Sequence, residues 1–285
     1  MPLFLRALPL SFQTYWRYLI LLPFLAIAAF VLSVIGSFIP FVSYLVPAAV
    51  SAYLVLMGLR CALVARGHYN RPSNKQLLFA SFVYGILNIV ATYLVTIITG
   101  VVMRRDMNVI AESGPVIHDN NLLPHIFGLV SIYLILTSVF ASAIAVPMTE
   151  AASARPRGPD NGYFFGFGAG IFSLFVVMLV WAFGGQFLAF FGEVRTLFLM
   201  IITALNAALQ GEDIPWKWNF GTAYLLGGTL FMAWASSWFF ATAVLAWEKA
   251  GQRKKQESKD AIEAQRISSD DLRALRKARQ QGRGT

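Results

Sequence analysis

The stretch that decides the fold is residues 18–59, YLILLPFLAIAAFVLSVIGSFIPFVSYLVPAAVSAYLVLMGL, which has no charged side chain between Arg17 and Arg60. As one helix it would extend about 63 Å, twice the thickness of the hydrocarbon core of a bilayer. It therefore has to fold back on itself, and Gly36 and Pro40 lie near its middle, where a turn is expected. The sequence predicts that the chain opens with a transmembrane helical hairpin.

The chain as a whole is strongly apolar. Hydrophobic residues make up 57% of it and charged residues 13%, whereas about a quarter of a soluble domain is charged. Four later uncharged runs are each long enough for one span of about 20 residues. The predicted fold is therefore an all-α polytopic membrane protein, a six-transmembrane-helix bundle forming one domain over residues 18–247. The predicted spans are residues 18–39, 41–64, 77–101, 126–146, 164–183 and 224–245.

Basic residues predict the orientation of this bundle. With six spans, 19 of the 23 lysines and arginines lie on one side of the membrane and four on the other. Basic loops mark the cytoplasmic side. We therefore expect a multi-pass protein of the cell's inner (plasma) membrane. Both of its termini should lie in the cytoplasm.

Residues 196–209, TLFLMIITALNAAL, do not fit a simple count of spans. They are apolar but short for a membrane crossing, which favours a re-entrant or interfacial helix in the last outer loop. A tilted seventh span is the alternative, but it would move the basic C-terminal tail to the outer side.

Both ends of the chain differ from the spans. Residues 1–17 mix leucines and Phe4 with Arg6 and predict an amphipathic lead-in on the cytoplasmic face. Residues 248–285 carry eleven basic and six acidic residues and few large apolar ones, which predicts a basic cytoplasmic tail. Ser268 or Ser269 followed by two aspartates favours the start of a short helix there, after a linker.

The tail has two interpretations. Lys254 and Lys255 follow the last span closely, where anionic membrane lipids would attract them. The short helix would instead dock to a cytoplasmic partner. The residues proposed for lipid or partner docking are Lys254, Lys255, Leu272, Leu275, Arg276 and Lys277. Nucleic-acid binding is not expected, because the sequence contains no folded reader motif.

The third span carries a polar stripe whose members are spaced three or four residues apart and so share one helical face. The stripe consists of Ser81, Tyr84, Asn88, Thr92, Thr96 and Thr99. Polar groups inside a bilayer are costly when unsatisfied, so this face should meet other helices or water. Interhelical packing and the lining of a pathway are both open interpretations.

The remaining motifs indicate packing rather than chemistry. Gly166 and Gly170 form a GxxxG pair in the fifth span, which predicts close helix packing. We expect no catalytic, cofactor or metal site, because the three histidines and single cysteine lack ligand or catalytic spacing. The predicted spans also lack well-buried ionisable side chains of the kind that proton-coupled transporters use.

The predicted function follows from these features. A tight bundle with a tail suited to docking indicates a non-enzymatic integral subunit or assembly partner of a multi-protein inner-membrane complex. Secretion or transport machinery would be such a complex. The expected partners are membrane lipids and other membrane-protein subunits, with a possible cytoplasmic partner at the tail. The alternative is a permease or permease subunit that moves a solute or lipid. It would work with a separate ATPase, since the chain has no P-loop. Location alone would suggest an enzyme acting on lipid, and no motif supports one.

Overall fold

A computed structural model describes residues 2–37, 42–69, 72–112, 122–153, 164–190, 203–204, 206–211 and 220–281. Within these ranges the main elements are helices. They are α1 (Leu3–Arg6), α2 (Leu8–Ser37), α3 (Val42–Ala65), α4 (Asn74–Glu112), α5 (Leu122–Ala152), α6 (Ile171–Phe190) and α7 (Phe220–Gln281).

Five of the described helices are long and apolar enough to cross a membrane, so the chain is a multi-pass membrane protein. These spans are Leu8–Leu32, Tyr44–Ala65, Asn74–Val102, Gly128–Ala152 and Leu226–Glu263. The apolar part of α6, Ile171–Gln186, is shorter, and the count of six spans stays a prediction. The proposed re-entrant helix also stays one, because most of residues 196–209 lie outside the described residues.

The fifth predicted span, residues 164–183, begins too early. Residues 164–170 form turns, and α6 begins only at Ile171. Gly166, Gly168 and Gly170 all have positive φ, near 70°, a conformation that glycine adopts without steric cost and that a helix excludes. The structure therefore differs from the predicted helical GxxxG pair.

The glycine turn supplies a backbone hydrogen bond that α5 lacks. Pro147 lies inside α5 and has no N–H with which to bond the carbonyl of Ala143, four residues earlier. The backbone N–H of Gly168 donates to that Ala143 carbonyl at 3.1 Å. The turn thus satisfies a backbone group that would otherwise be unpaired within the membrane.

Gly168→Ala is expected to destabilise the protein by about 1–2 kcal/mol, because alanine is strained at φ +73°. A Cβ at this position meets no atom within 4 Å, so the cost is conformational. Thermal unfolding of the purified protein in detergent measures it. Gly128→Ala, in a helix and also without neighbours, is the matched control and should be neutral or stabilising. An equal effect of both substitutions would contradict the prediction.

The helices form one bundle in which α7 is the most buried span. Each of α2 to α7 packs against the next in sequence, α2 also contacts α7, and α3 reaches both α5 and α7. Buried residues make up 61% of the most apolar window of the α7 span and 6% of that of α2. α7 therefore lies inside the bundle, and α2 turns most of its surface towards the lipid.

The close packing of α3 against α4 and α7 depends on two glycines. A Cβ at Gly85 of α4 would lie 2.9 Å from the backbone of Ala49 in α3, and one at Gly58 of α3 would run into the Phe240 ring of α7. The absence of a side chain at these positions lets α3 approach both neighbours.

The N-terminal segment is part of the bundle. α2 begins at Leu8 and continues into the first span, so residues 1–17 do not form a separate lead-in. Ala7, Ser11 and Thr14 are fully buried, and the indole N–H of Trp238 in α7 donates to the Phe4 carbonyl at 2.8 Å. The N-terminal segment therefore packs against α7, whereas the sequence predicted that it lies on the membrane surface.

The C-terminal segment also differs from the expectation of a linker and a short helix. α7 is continuous for 62 residues, from Phe220 to Gln281. Residues 248–281 contain no proline and a single glycine, Gly251, so the span extends into the tail without a helix-breaking residue.

Candidate functional site

The first candidate site lies where α3 ends at Ala65, α5 ends at Ala152 and the apolar part of α7 ends at Trp247; we call it the charged end. Gly67 has φ +96°, and the N–H of His68 donates to the Leu63 carbonyl at 2.9 Å. This is a Schellman motif, the common glycine-dependent helix ending. It turns the chain back so that His68 lies over α7.

Glu248 of α7 joins two basic side chains from the end of α3. Arg66 donates through Nε to Glu248 Oε1 at 3.1 Å and through Nη2 to Oε2 at 3.3 Å. His68 Nε2 lies 3.1 Å from the same Oε1. Because Arg66 is about half exposed, solvent screens this ion pair and it contributes little to stability. It connects the end of α3 with the first charged residue of α7 beyond Trp247.

A second acidic residue is buried beneath this pair. Glu150 of α5 is only 8% exposed, and its Oε2 accepts a hydrogen bond from the indole N–H of Trp247. The Trp247 ring meets His68 edge to face, with ring centroids 5.4 Å apart. Arg60 of α3 donates to the Ala152 carbonyl at 3.4 Å. These contacts join α3, α5 and α7 at one level.

Sequence reasoning did not identify Glu150, His68 and Glu248 as a group. Glu150 lies inside the described span Gly128–Ala152, near its end. The available signal was local: an acidic residue before the end of an apolar helix, and an Arg-Gly-His sequence at residues 66–68. Only tertiary packing shows that they meet.

The polar stripe of α4 is divided between interior and surface. Ser81 and Tyr84 are buried, Asn88, Thr92 and Thr96 are exposed, and Thr99 is half-buried. Ser81, Thr96 and Thr99 donate their hydroxyl hydrogens to backbone carbonyls of α4, at 2.7–2.8 Å. Such bonds satisfy a hydroxyl within its own helix, so Thr96 and Thr99 tolerate lipid. Neither packing nor a pathway is established for the stripe.

The second candidate site is a cavity inside the bundle, with a volume of about 350 Å³. Residues from α2 to α7 all contribute to its wall. Its polar members include Asn88, Ser51, Ser236 and Trp181, and most of the rest are apolar or aromatic. Asn88 connects this cavity with the exposed part of the polar stripe.

The other predicted site residues occupy separate places. Gly166 and Gly170 pack against Val146 of α5 and Ala246 of α7 respectively, from the turn rather than from a helix. Lys254 lies over the Phe165 ring, 5.5 Å from its centroid, and Lys255 is exposed. Leu272, Leu275, Arg276 and Lys277 lie in α7, and their side chains are outside the described part of the structure.

Comparison with known proteins gives no relative from which to infer function: no family model, no curated protein and no solved structure matches the chain.

Proposed function

We propose that this chain is a non-enzymatic integral subunit or assembly partner of a multi-protein complex in the inner membrane, and that residues 248–281 of α7, the arm, dock a cytoplasmic partner. One observation carries the proposal: the last membrane helix continues into the arm without a break. At 1.5 Å per residue, the arm extends about 50 Å.

The charged end supports the arm at its base. Glu248 is held by Arg66 and His68, and Trp247 is held by Glu150. Nearly two helical turns further on, Lys254 rests on the Phe165 ring. An arm fixed at three successive places presents a partner with a surface in a defined orientation, which lowers the entropic cost of binding.

The exposed side chains of the arm favour the binding of a partner to it. Its described side chains beyond Lys254 are exposed, including the apolar Ile262 at 55%. Two hydrogen bonds along the helix, Arg253 to Glu257 and Gln256 to Asp260, support it. Each such pair contributes only about 0.2–0.5 kcal/mol, and helices without tertiary packing are marginal in water. A bound partner would supply that packing.

The charge distribution supports the orientation in this proposal. With six spans and a re-entrant outer helix, the charged end and the arm lie in the cytoplasm, on the side with most basic residues. The complex is then one such as secretion or transport machinery, whose soluble components bind from the cytoplasm.

Truncation after Lys255 is expected to remove the cytoplasmic partner from material purified in a mild detergent, while the bundle keeps its apparent size on gel filtration. The measurement is native sizing with mass spectrometry of co-purifying proteins. The double variant Ala250→Gly and Gln252→Gly keeps the length and net charge but places a flexible hinge at the base, so it should weaken association.

Two results would contradict this proposal. If the truncated chain retains the same partners in the same yield, the arm is not the docking element. If the full chain is monomeric with no co-purifying protein in several mild detergents, it is not a subunit of a stable complex.

The cavity supports a second candidate, a permease or permease subunit that moves a solute or lipid with a separate ATPase. Asn88 lies halfway along the Asn74–Val102 span and in the cavity wall, where a route through the bundle would pass. Replacing Asn88 and Thr92 by leucine should then abolish transport by the assembled complex, whereas Val90→Leu, on the exposed face of α4, should not. Unchanged transport in the double variant would exclude this route.

A further inference from the structure

The cavity is large enough to hold a ligand. An engineered cavity of about 150 Å³ with an apolar wall binds benzene, and small-molecule sites begin near 300 Å³. At about 350 Å³, the cavity is larger than the one that binds benzene and lies at the lower end of the range for small-molecule sites. A void of this size deprives its lining of dispersion contacts unless something fills it.

The cavity wall selects an uncharged ligand. In the described part of the chain, no lysine, arginine, aspartate or glutamate lines it. A charged group would be desolvated there without an opposite charge to compensate. Aromatic and aliphatic residues, among them Phe239, Phe240 and Ile144, form most of the surface. The bulk of the ligand is therefore hydrocarbon.

Most polar groups in the wall already have partners. Ser51 donates its hydroxyl hydrogen to the Ala48 carbonyl, and the Trp181 indole N–H donates to Ser236 Oγ, which in turn donates to the Met232 carbonyl. Among the described residues we find no hydrogen bond to the Tyr18 hydroxyl, which is buried, or to the exposed Asn88 carboxamide. Its oxygen and N–H₂ group remain available to a ligand.

The entrance of the cavity faces the membrane. Ser51 and Asn88 are the exposed members of its lining, and both lie within apolar spans, Tyr44–Ala65 and Asn74–Val102. A molecule that enters between α3 and α4 therefore comes from the hydrocarbon phase, so the ligand is soluble in lipid.

We propose that this cavity is a binding site for an uncharged, lipid-soluble molecule, mostly hydrocarbon, whose single hydrogen-bonding group pairs with the Asn88 carboxamide. The site goes beyond the proposed docking role, and it stands whether or not the arm binds a partner, since it depends on other residues.

Photolabelling of the full chain in bilayer nanodiscs tests the site. The probe is a long-chain alcohol with a diazirine in its chain, and the expected result is crosslinking to peptides that contain Met148 and Met178, two lining residues. Asn88→Leu, which removes the hydrogen bond, should lower the labelling about 5-fold. Ala141→Phe, which fills the cavity, should abolish labelling, whereas Ala28→Phe on the exposed surface of α2 should leave it unchanged.

A second probe separates a dedicated ligand from a lipid chain. It is phosphatidylethanolamine with the same diazirine in one acyl chain, at the same concentration of probe chains. Labelling by this lipid that is as strong as that by the alcohol, and insensitive to Asn88→Leu, would show an ordinary acyl chain in the cavity and overturn the proposal. Alcohol labelling that persists in Ala141→Phe would overturn it as well. Because Asn88→Leu leaves the core packing unchanged, its result stands even if Ala141→Phe fails to fold.

Discussion

Replacing Trp247 by alanine is expected to destabilise the bundle by about 3–5 kcal/mol, the usual cost of removing a large aromatic side chain from a core. Trp247 is 2% exposed and belongs to the main hydrophobic cluster. The substitution removes its packing, its hydrogen bond to Glu150 and its edge contact with His68 together. Equilibrium unfolding in detergent micelles measures the loss.

Trp247→Phe separates packing from hydrogen bonding. Phenylalanine keeps most of the buried volume but removes the donor to the buried Glu150 carboxylate, so about 1–3 kcal/mol of the loss should remain. When Trp247→Phe is combined with Glu150→Gln, the loss of stability caused by Trp247→Phe should be smaller. Losing one hydrogen-bond donor costs less for a neutral amide than for a carboxylate.

Trp16→Ala is the matched control. Trp16 is 64% exposed, so removing the same side chain there should change stability little. Equal effects at Trp16 and Trp247 would contradict the view that the charged end holds α5 and α7 together.

Gly58→Ala is expected to have the second largest effect, a loss of about 1–3 kcal/mol from overpacking. The added Cβ would meet the Phe240 ring. That ring is 4% exposed and packs edge to face against Tyr18, with centroids 5.3 Å apart, so it has little room to move. Thermal unfolding of the purified protein measures the change.

Two further variants make this prediction specific. Gly100→Ala introduces the same methyl group into α4, where a Cβ meets nothing within 4 Å, and should be neutral or stabilising because alanine favours the helix. Phe240→Leu, combined with Gly58→Ala, makes room for the methyl group and should recover part of the stability. If the double variant is no more stable than the sum of the two single losses predicts, the clash is not the cause.

Much of the fold could be predicted from hydropathy because lipid acts on every residue of a span in the same way. The opening hairpin and the apolar runs that became α2 to α5 and α7 follow from this, whatever the helices later pack against. The boundary at Ile171 could not be predicted in that way. It depends on the hydrogen bond from the Gly168 N–H to the Ala143 carbonyl. That carbonyl is open to Gly168 because Pro147 has no N–H to donate to it.

The candidate sites depend still more on tertiary structure. The spacing of the α4 stripe predicted one polar face, and packing then buried Ser81 and Tyr84 and left Asn88 and Thr92 exposed. In the tail, the composition predicted a basic segment, but its junction with the bundle depends on Glu248 meeting Arg66, 182 residues away.

By itself, the sequence determined that the chain lies in a membrane as several helices, since the transfer of apolar side chains into lipid depends on composition and length. Tertiary structure alone decided that Glu150 and Trp247 meet at the charged end, and that six helices leave a cavity beside Asn88. The physical reason is that hydrogen bonds and close packing act over a few ångströms, between residues that only the folded arrangement of the helices brings together.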